Sequence, residues 1–143
     1  MVLMLCSCDG TLFHSYRQVD EGWLRDSALL FTYVGDGSAV SVGGMFLETR
    51  TDASYRYKNL AVRAEYLNAG DSLLAADTVH VKVYGDDGQR KGYTAGMVYQ
   101  NSSEMSVINI LSGDSISIRI SHIMPDDTLH GVFDVGVKLV AGN

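Results

Sequence analysis

Ile116, Ile118 and Ile120 alternate with Ser117, Arg119 and Ser121, and this two-residue period constrains the chain more than any other feature. Successive side chains of an extended strand point to opposite faces, so such a row buries one face and wets the other. The pattern predicts a half-buried strand over 115–124, with His122 and Met124 continuing the apolar row. The same period recurs in Val79, Val81 and Val83 against His80, Lys82 and Tyr84. It appears again in Leu60, Val62, Ala64 and Tyr66 against Arg63 and Glu65, and in Phe133, Val135, Val137 and Leu139 against Asp134, Gly136 and Lys138. Looser patterns place strands at 12–19, 28–34, 40–50, 93–100 and 106–111. The 28–34 run is apolar on both faces and reads as a central, doubly covered strand.

Turn chemistry falls between these runs: Gly35-Asp36-Gly37, Asn68-Ala69-Gly70-Asp71, Asp86-Asp87-Gly88, Ser112-Gly113-Asp114 and Pro125-Asp126-Asp127. With 15 glycines, one proline and few helix signals, the expectation is an all-β, two-sheet antiparallel β-sandwich. It would be jelly-roll-like, with about eight or nine strands. No repeat or linker divides the chain, so 8–143 reads as a single β-sandwich domain.

At the N-terminus, Leu5-Cys6-Ser7-Cys8 follows Met1-Val2-Leu3-Met4. An apolar residue three places before a cysteine, with small residues between, matches the end of a bacterial lipoprotein export signal. Residues 1–7 then form the remnant of a signal peptide, and Cys8 is the lipidation site. The apolar stretch is shorter than the roughly 7 to 15 residues of a full export signal and carries no basic residue. The plainer alternative is a thiol pair near a frayed terminus. Cys6 and Cys8 are the only cysteines, too few for a disulfide framework and only half of a tetrahedral metal set. An acylated Cys8 would hold the protein to a membrane through two or more chains.

The net charge of −6, from 17 acidic and 11 basic residues without a basic stripe, argues against nucleic acid as a partner. The sequence carries no nucleophile elbow, phosphate-cradling glycine loop or zinc-binding His-Glu helix. The expectation is a non-enzyme without a cofactor.

Several constellations carry two readings each. Trp23, the only tryptophan, sits in Gly22-Trp23-Leu24-Arg25-Asp26. Buried, it closes the edge of the core with its N–H bonded, and Asp26 bonds nearby backbone N–H groups; exposed, it contacts sugar or protein. Tyr55, Tyr57 and Asn59 share one side of an extended segment, suited either to packing or to stacking on carbohydrate. His14, His80, His122 and His130 lack metal-ligand spacing; His122 reads as a hydrogen-bonded core histidine. Asp86-Asp87-Gly88 and Asp126-Asp127 lack the ligand ladder of a calcium loop.

Together these pieces resemble one family, the gliding motility-associated GldH lipoproteins of Bacteroidetes. The resemblance runs from Cys8-Asp9 to about Leu139. It rests on Tyr16 ahead of Gly22-Trp23 and Asp26, on Tyr55 and Tyr57 ahead of Asn59-Leu60, and on Asp77-Thr78 opening a valine-rich strand. Gly92 and Gly96 before Tyr99, then His122-Ile123-Met124, and Leu129-His130-Gly131-Val132-Phe133-Asp134-Val135-Gly136 complete it. The resemblance implies a non-enzymatic cell-envelope lipoprotein, in the periplasm or outer membrane, associated with the gliding and type IX secretion machinery. Its partners would be other envelope proteins, and an exposed face including Asp134 and Tyr57 would dock them. The alternative is a surface carbohydrate-binding module using an aromatic platform near Trp23 or Tyr55. A hydrolase would instead require converging carboxylates, such as Asp77, Asp86, Asp87 and Asp134 brought together.

Overall fold

The computed structural model describes residues 10–19, 21–35, 40–85, 93–95, 98–112 and 115–142, and every regular element among them is a strand. In chain order these are β1 (Thr11–Gln18), β2 (Trp23–Leu24), β3 (Leu29–Tyr33), β4 (Val40–Thr51), β5 (Asn59–Leu67) and β6 (Leu73–Lys82). There follow β7 (Tyr93–Ala95), β8 (Val98–Ser102), β9 (Ser106–Ser112), β10 (Ile116–His122), β11 (Thr128–Leu129) and β12 (Val132–Ala141). The large sheet runs β1-β12-β4-β8-β7, with β9 also pairing β4. The second sheet runs β3-β10-β5-β6, and β11 with β2 forms a short ribbon. All pairings are antiparallel.

The alternating rows build the interior of this all-β sandwich. Leu60, Val62, Ala64 and Tyr66 of β5, Val79 and Val81 of β6, and Ile116, Ile118 and Ile120 of β10 are buried. So are Met45 and Leu47 of β4, Ile108 and Ile110 of β9, and Val135, Val137 and Leu139 of β12. Burying each large aliphatic side chain contributes about 1.5–3 kcal/mol relative to leaving it exposed, so an inward row offsets the ordering of its strand.

The departures from the sequence expectations have local causes. β3 is not a central strand. Among the described strands it pairs only with β10, and alternation along it puts Phe31 in the core while Leu30 is 53% exposed. Arg17 Nε donates to the Leu30 carbonyl at 3.0 Å, which occupies part of the edge that a neighbouring strand would otherwise pair. Phe133 leaves the inward row of β12 because the register with β4 shifts between Val132 and Asp134. That bulge turns its ring outward, to 43% exposure. The 93–100 run divides into β7 and β8, and β6 starts at Leu73, so Asp77 and Thr78 lie inside the strand instead of opening it. With the two-residue strands β2 and β11, the described strands number 12 against the eight or nine expected. The 68–71 turn forms as predicted, Asn68 Oδ1 accepting the N–H groups of Gly70 and Ser72 at 2.9 and 3.0 Å. Asp86-Asp87-Gly88 lies outside the described residues.

The sandwich has two distinct ends. At one, Thr11 pairs Val140, Val42 pairs Ala141 and Ile110, Tyr33 pairs Ile116, and Leu67 pairs Leu73. The rings of Phe13 and Tyr33 meet edge to face at 6.1 Å there, joining the two sheets. At the other end, the β2/β11 ribbon closes the core with Trp23 and Leu129.

Candidate functional site

The outer face of the large sheet is where side chains far apart in sequence converge. Register places Tyr16 beside Gly136 and Gly136 beside Glu48, while Gln18, Asp134 and Arg50 form the next row. Outward parity brings polar groups to this face because the inward positions between them, Leu47, Thr49 and Val135, are buried. Tyr16 can lie across β12 only because Gly136 has no side chain; a Cβ there would stand 2.6 Å from Tyr16 Cε2.

The contacts form a chain. Glu48 Oε1 accepts hydrogen bonds from the Tyr16 hydroxyl and from His14 Nε2, the latter at 2.8 Å. The Arg50 guanidinium stacks on the Tyr16 ring with Cζ 4.5 Å from its centroid, a cation–π contact. Arg50 Nε also donates to Asp134 Oδ1 at 3.0 Å. Burial raises the Tyr16 pKa, and the hydrogen bond to Glu48 raises it further, so the phenol stays protonated and acts as a donor. Burial likewise raises the Asp134 pKa, opposed by the charge and hydrogen bond of Arg50. Beside this chain, Lys138 Nζ lies 5.8 Å from the Phe46 ring centroid. The arrangement holds donors, acceptors and rings in fixed positions, which suits recognition.

The ribbon end is a second constellation, and its role is closure. Trp23 is 2% exposed, and its Nε1 donates to the Ser27 carbonyl at 3.0 Å. His122 Nδ1 accepts the Met124 N–H at 3.2 Å, so Nε2 carries the proton and donates to the Trp23 carbonyl at 2.9 Å. The two rings meet edge to face at 5.3 Å. Tyr55, also 2% exposed, donates to the Asn59 carbonyl at 2.7 Å. Gly131, at φ +92°, lets the Tyr55 backbone come so close that a Cβ would stand 2.6 Å from its N and Cα. Tyr57 packs against Tyr55 and donates to Asp126 Oδ1 at 2.9 Å.

Among the described residues, no group of three or more His, Cys, Asp or Glu side chains could hold a metal ion. No described helix is long and apolar enough to cross a membrane, which says nothing of strands. The sequence pattern described as GldH lipoprotein matches residues 11–139. The chain belongs to the GldH lipoprotein family. Membership implies a membrane-anchored envelope protein, and the family's name associates it with gliding motility. A solved structure described as "Structure of Eiger TNF from S. frugiperda" aligns with 11% identity over 91% of this chain and 92% of that one. Its TM-score of 0.27 gives that likeness no weight. The comparison with curated proteins found no match.

In this GldH family member, the residues singled out from sequence separate into distinct groups. Tyr16, Asp134 and Gly136 meet on the outer face; Trp23, Tyr55, Gly131 and His122 close the ribbon end. Buried Trp23 and Tyr55 offer no solvent-open platform for sugar stacking. Asp134 faces outward as expected but is buried against Arg50, not free to touch a partner. Tyr57 lies against Tyr55 and Asp126, away from the contacts of Asp134, so the two do not form one docking face. Asp26 is exposed in the turn after β2. Asn59 Nδ2 bonds His80 Nδ1 at 3.3 Å. Asp77 Oδ1 accepts the Thr78 N–H on exposed β6, in the second sheet and remote from the Asp134 face. Tyr99 is half-buried opposite Thr51. Cys8 and Gly96 lie outside the described residues. Sequence reasoning missed His14, Glu48 and Arg50. Their one signal is that Glu48 and Arg50 occupy the outward parity of β4, between Leu47, Thr49 and Thr51.

Proposed function

We propose that this protein is a non-enzymatic assembly or interaction factor, held at an envelope membrane through acylated Cys8. It docks proteins of the gliding or secretion machinery on the outer face of its large sheet. The observation that carries the reading is the fixed His14–Glu48–Tyr16–Arg50–Asp134 chain. Its charges and rings are held in place before any partner arrives, so little side-chain ordering remains to be done on binding. Tyr16, Asp134 and Gly136, three of the residues carrying the family resemblance, stand within it.

His14, the exposed member of the chain, and half-buried Lys138, its partner across β12, test the reading. Changing His14→Ser together with Lys138→Glu leaves the core untouched and alters charge where a partner would land. Recovery of envelope partners in pull-downs should fall while the melting temperature stays within about 2 °C, since surface substitutions usually cost under ~0.5 kcal/mol. Undiminished recovery would remove the proposed face.

A further inference from the structure

The end of the sandwich at which β1 begins carries large apolar side chains in the open. Leu111 is 73% exposed, Val34 71%, and Leu73 and Leu74 stand exposed nearby. Register puts each at this same end: Leu111 pairs Ser41 beside the Val42–Ala141 pair, Val34 follows Tyr33 opposite Ile116, and Leu73 pairs Leu67.

Only Asp9 and Gly10 separate Cys8 from Thr11. Three Cα steps of 3.80 Å reach at most about 11 Å, so a lipid on Cys8 keeps the start of the first strand within that distance of its attachment point. We propose that this end of the sandwich rests on the bilayer, with Val34, Leu73, Leu74 and Leu111 as a lipid-contacting foot. The inference deepens the anchoring reading above and rests on acylation at Cys8. The exposed side chains meet the boundary between headgroups and acyl chains, where apolar surface leaves water. The surface is one of zwitterionic lipid: the chain carries a net charge of −6, and Asp71 lies in the turn at this same end. β1 spans 8 residues, and at ~3.3 Å per residue it places the Trp23 end about 25 Å farther from the lipid.

The single tryptophan therefore supplies a built-in reference. The acylated full-length protein is placed in vesicles of phosphatidylcholine and phosphatidylethanolamine, with and without brominated acyl chains that quench indole emission. Trp23 emission should be unchanged by bromination. Leu111→Trp and Val34→Trp, at sites that displace no core, should each lose at least about half of their added emission, because interfacial side chains sit roughly 5–10 Å into the headgroup boundary. Leu24→Trp, at an exposed site on the far end, should lose none. If mass spectrometry shows acylated Cys8 yet Leu24→Trp is quenched as strongly, or neither foot variant is quenched, the foot is wrong and the anchor stands. A Cys8 found without acyl chains overturns the anchor and the foot together.

Discussion

The ring of Tyr16 lies flat across Gly136, with Cε2, Cδ2 and Cζ at 2.6, 2.8 and 2.9 Å from where a Cβ would stand. The absent side chain lets the tyrosine reach over β12 to Glu48 on β4, and this contact orders the outer face. Gly136→Ala must lift the ring. Such overpacking costs about 1–3 kcal/mol, which at roughly 2–4 °C per kcal/mol is a clear fall in melting temperature. Adding Tyr16→Ala should make the Gly136→Ala step nearly neutral, as coupling between touching residues requires. Thermal melts of the four proteins check it.

Gly131 differs because its obstacle is backbone. A Cβ there meets Tyr55 N and Cα at 2.6 Å, and φ is +92°. No rotamer change relieves this. Gly131→Ala should destabilise more than Gly136→Ala, by at least about 2–3 kcal/mol including the strained dihedral, as read by urea unfolding.

Arg50 offsets the burial of Asp134. Arg50→Met should cost about 1–3 kcal/mol at neutral pH by leaving a buried carboxylate unpaired. The folded-state pKa of Asp134 is already raised above its ordinary 3.8. Its favourable contribution is therefore complete below 3.8 and is lost as pH rises through the folded value. Without the guanidinium that loss deepens, so the variant's deficit should be largest at neutral pH and shrink below 3.8. Denaturation at both pH values measures it.

His122 titrates with the opposite consequence. Burial lowers its pKa below the ordinary 6.5, so in the window beneath 6.5 the unfolded chain binds a proton that the folded one does not. Stability should fall as pH drops from 6.5 toward the folded value. His122→Gln removes the titrating ring, and the part of the melting-temperature slope between pH 7 and 5 due to this residue should vanish even if the variant is less stable throughout.

How far the sequence reveals this molecule depends on whether the information is local. The Ile116-Ile118-Ile120 and Leu60-Val62-Ala64-Tyr66 rows are legible because strand parity is a local rule and both strands obey it. The 28–34 run misleads because apolarity on both faces does not distinguish a covered strand from an edge strand bearing an exposed Leu30. Phe133 misleads because one bulge reverses parity, and nothing in its neighbours announces the shift. For Trp23 and Tyr55 the packed ring with a bonded polar atom is one of the two readings the sequence leaves open, and for His122 it is the expected one. Glu48, Arg50 and His14 are unremarkable in one dimension; they meet Tyr16 and Asp134 only after three strands take their register. Sequence separations of 32 to 84 residues between bonded partners make that face unreadable from spacing.

Photo-crosslinking in intact envelopes tests the outer face most directly. A photoreactive residue at His14 or Lys138 reports on the large sheet, and one at Arg63 or Ser121 reports on the outer face of the second sheet. The account predicts discrete protein adducts from His14 and Lys138 and none from Arg63 and Ser121. Adducts arising only from Arg63 and Ser121, or equally from all four positions, would contradict it.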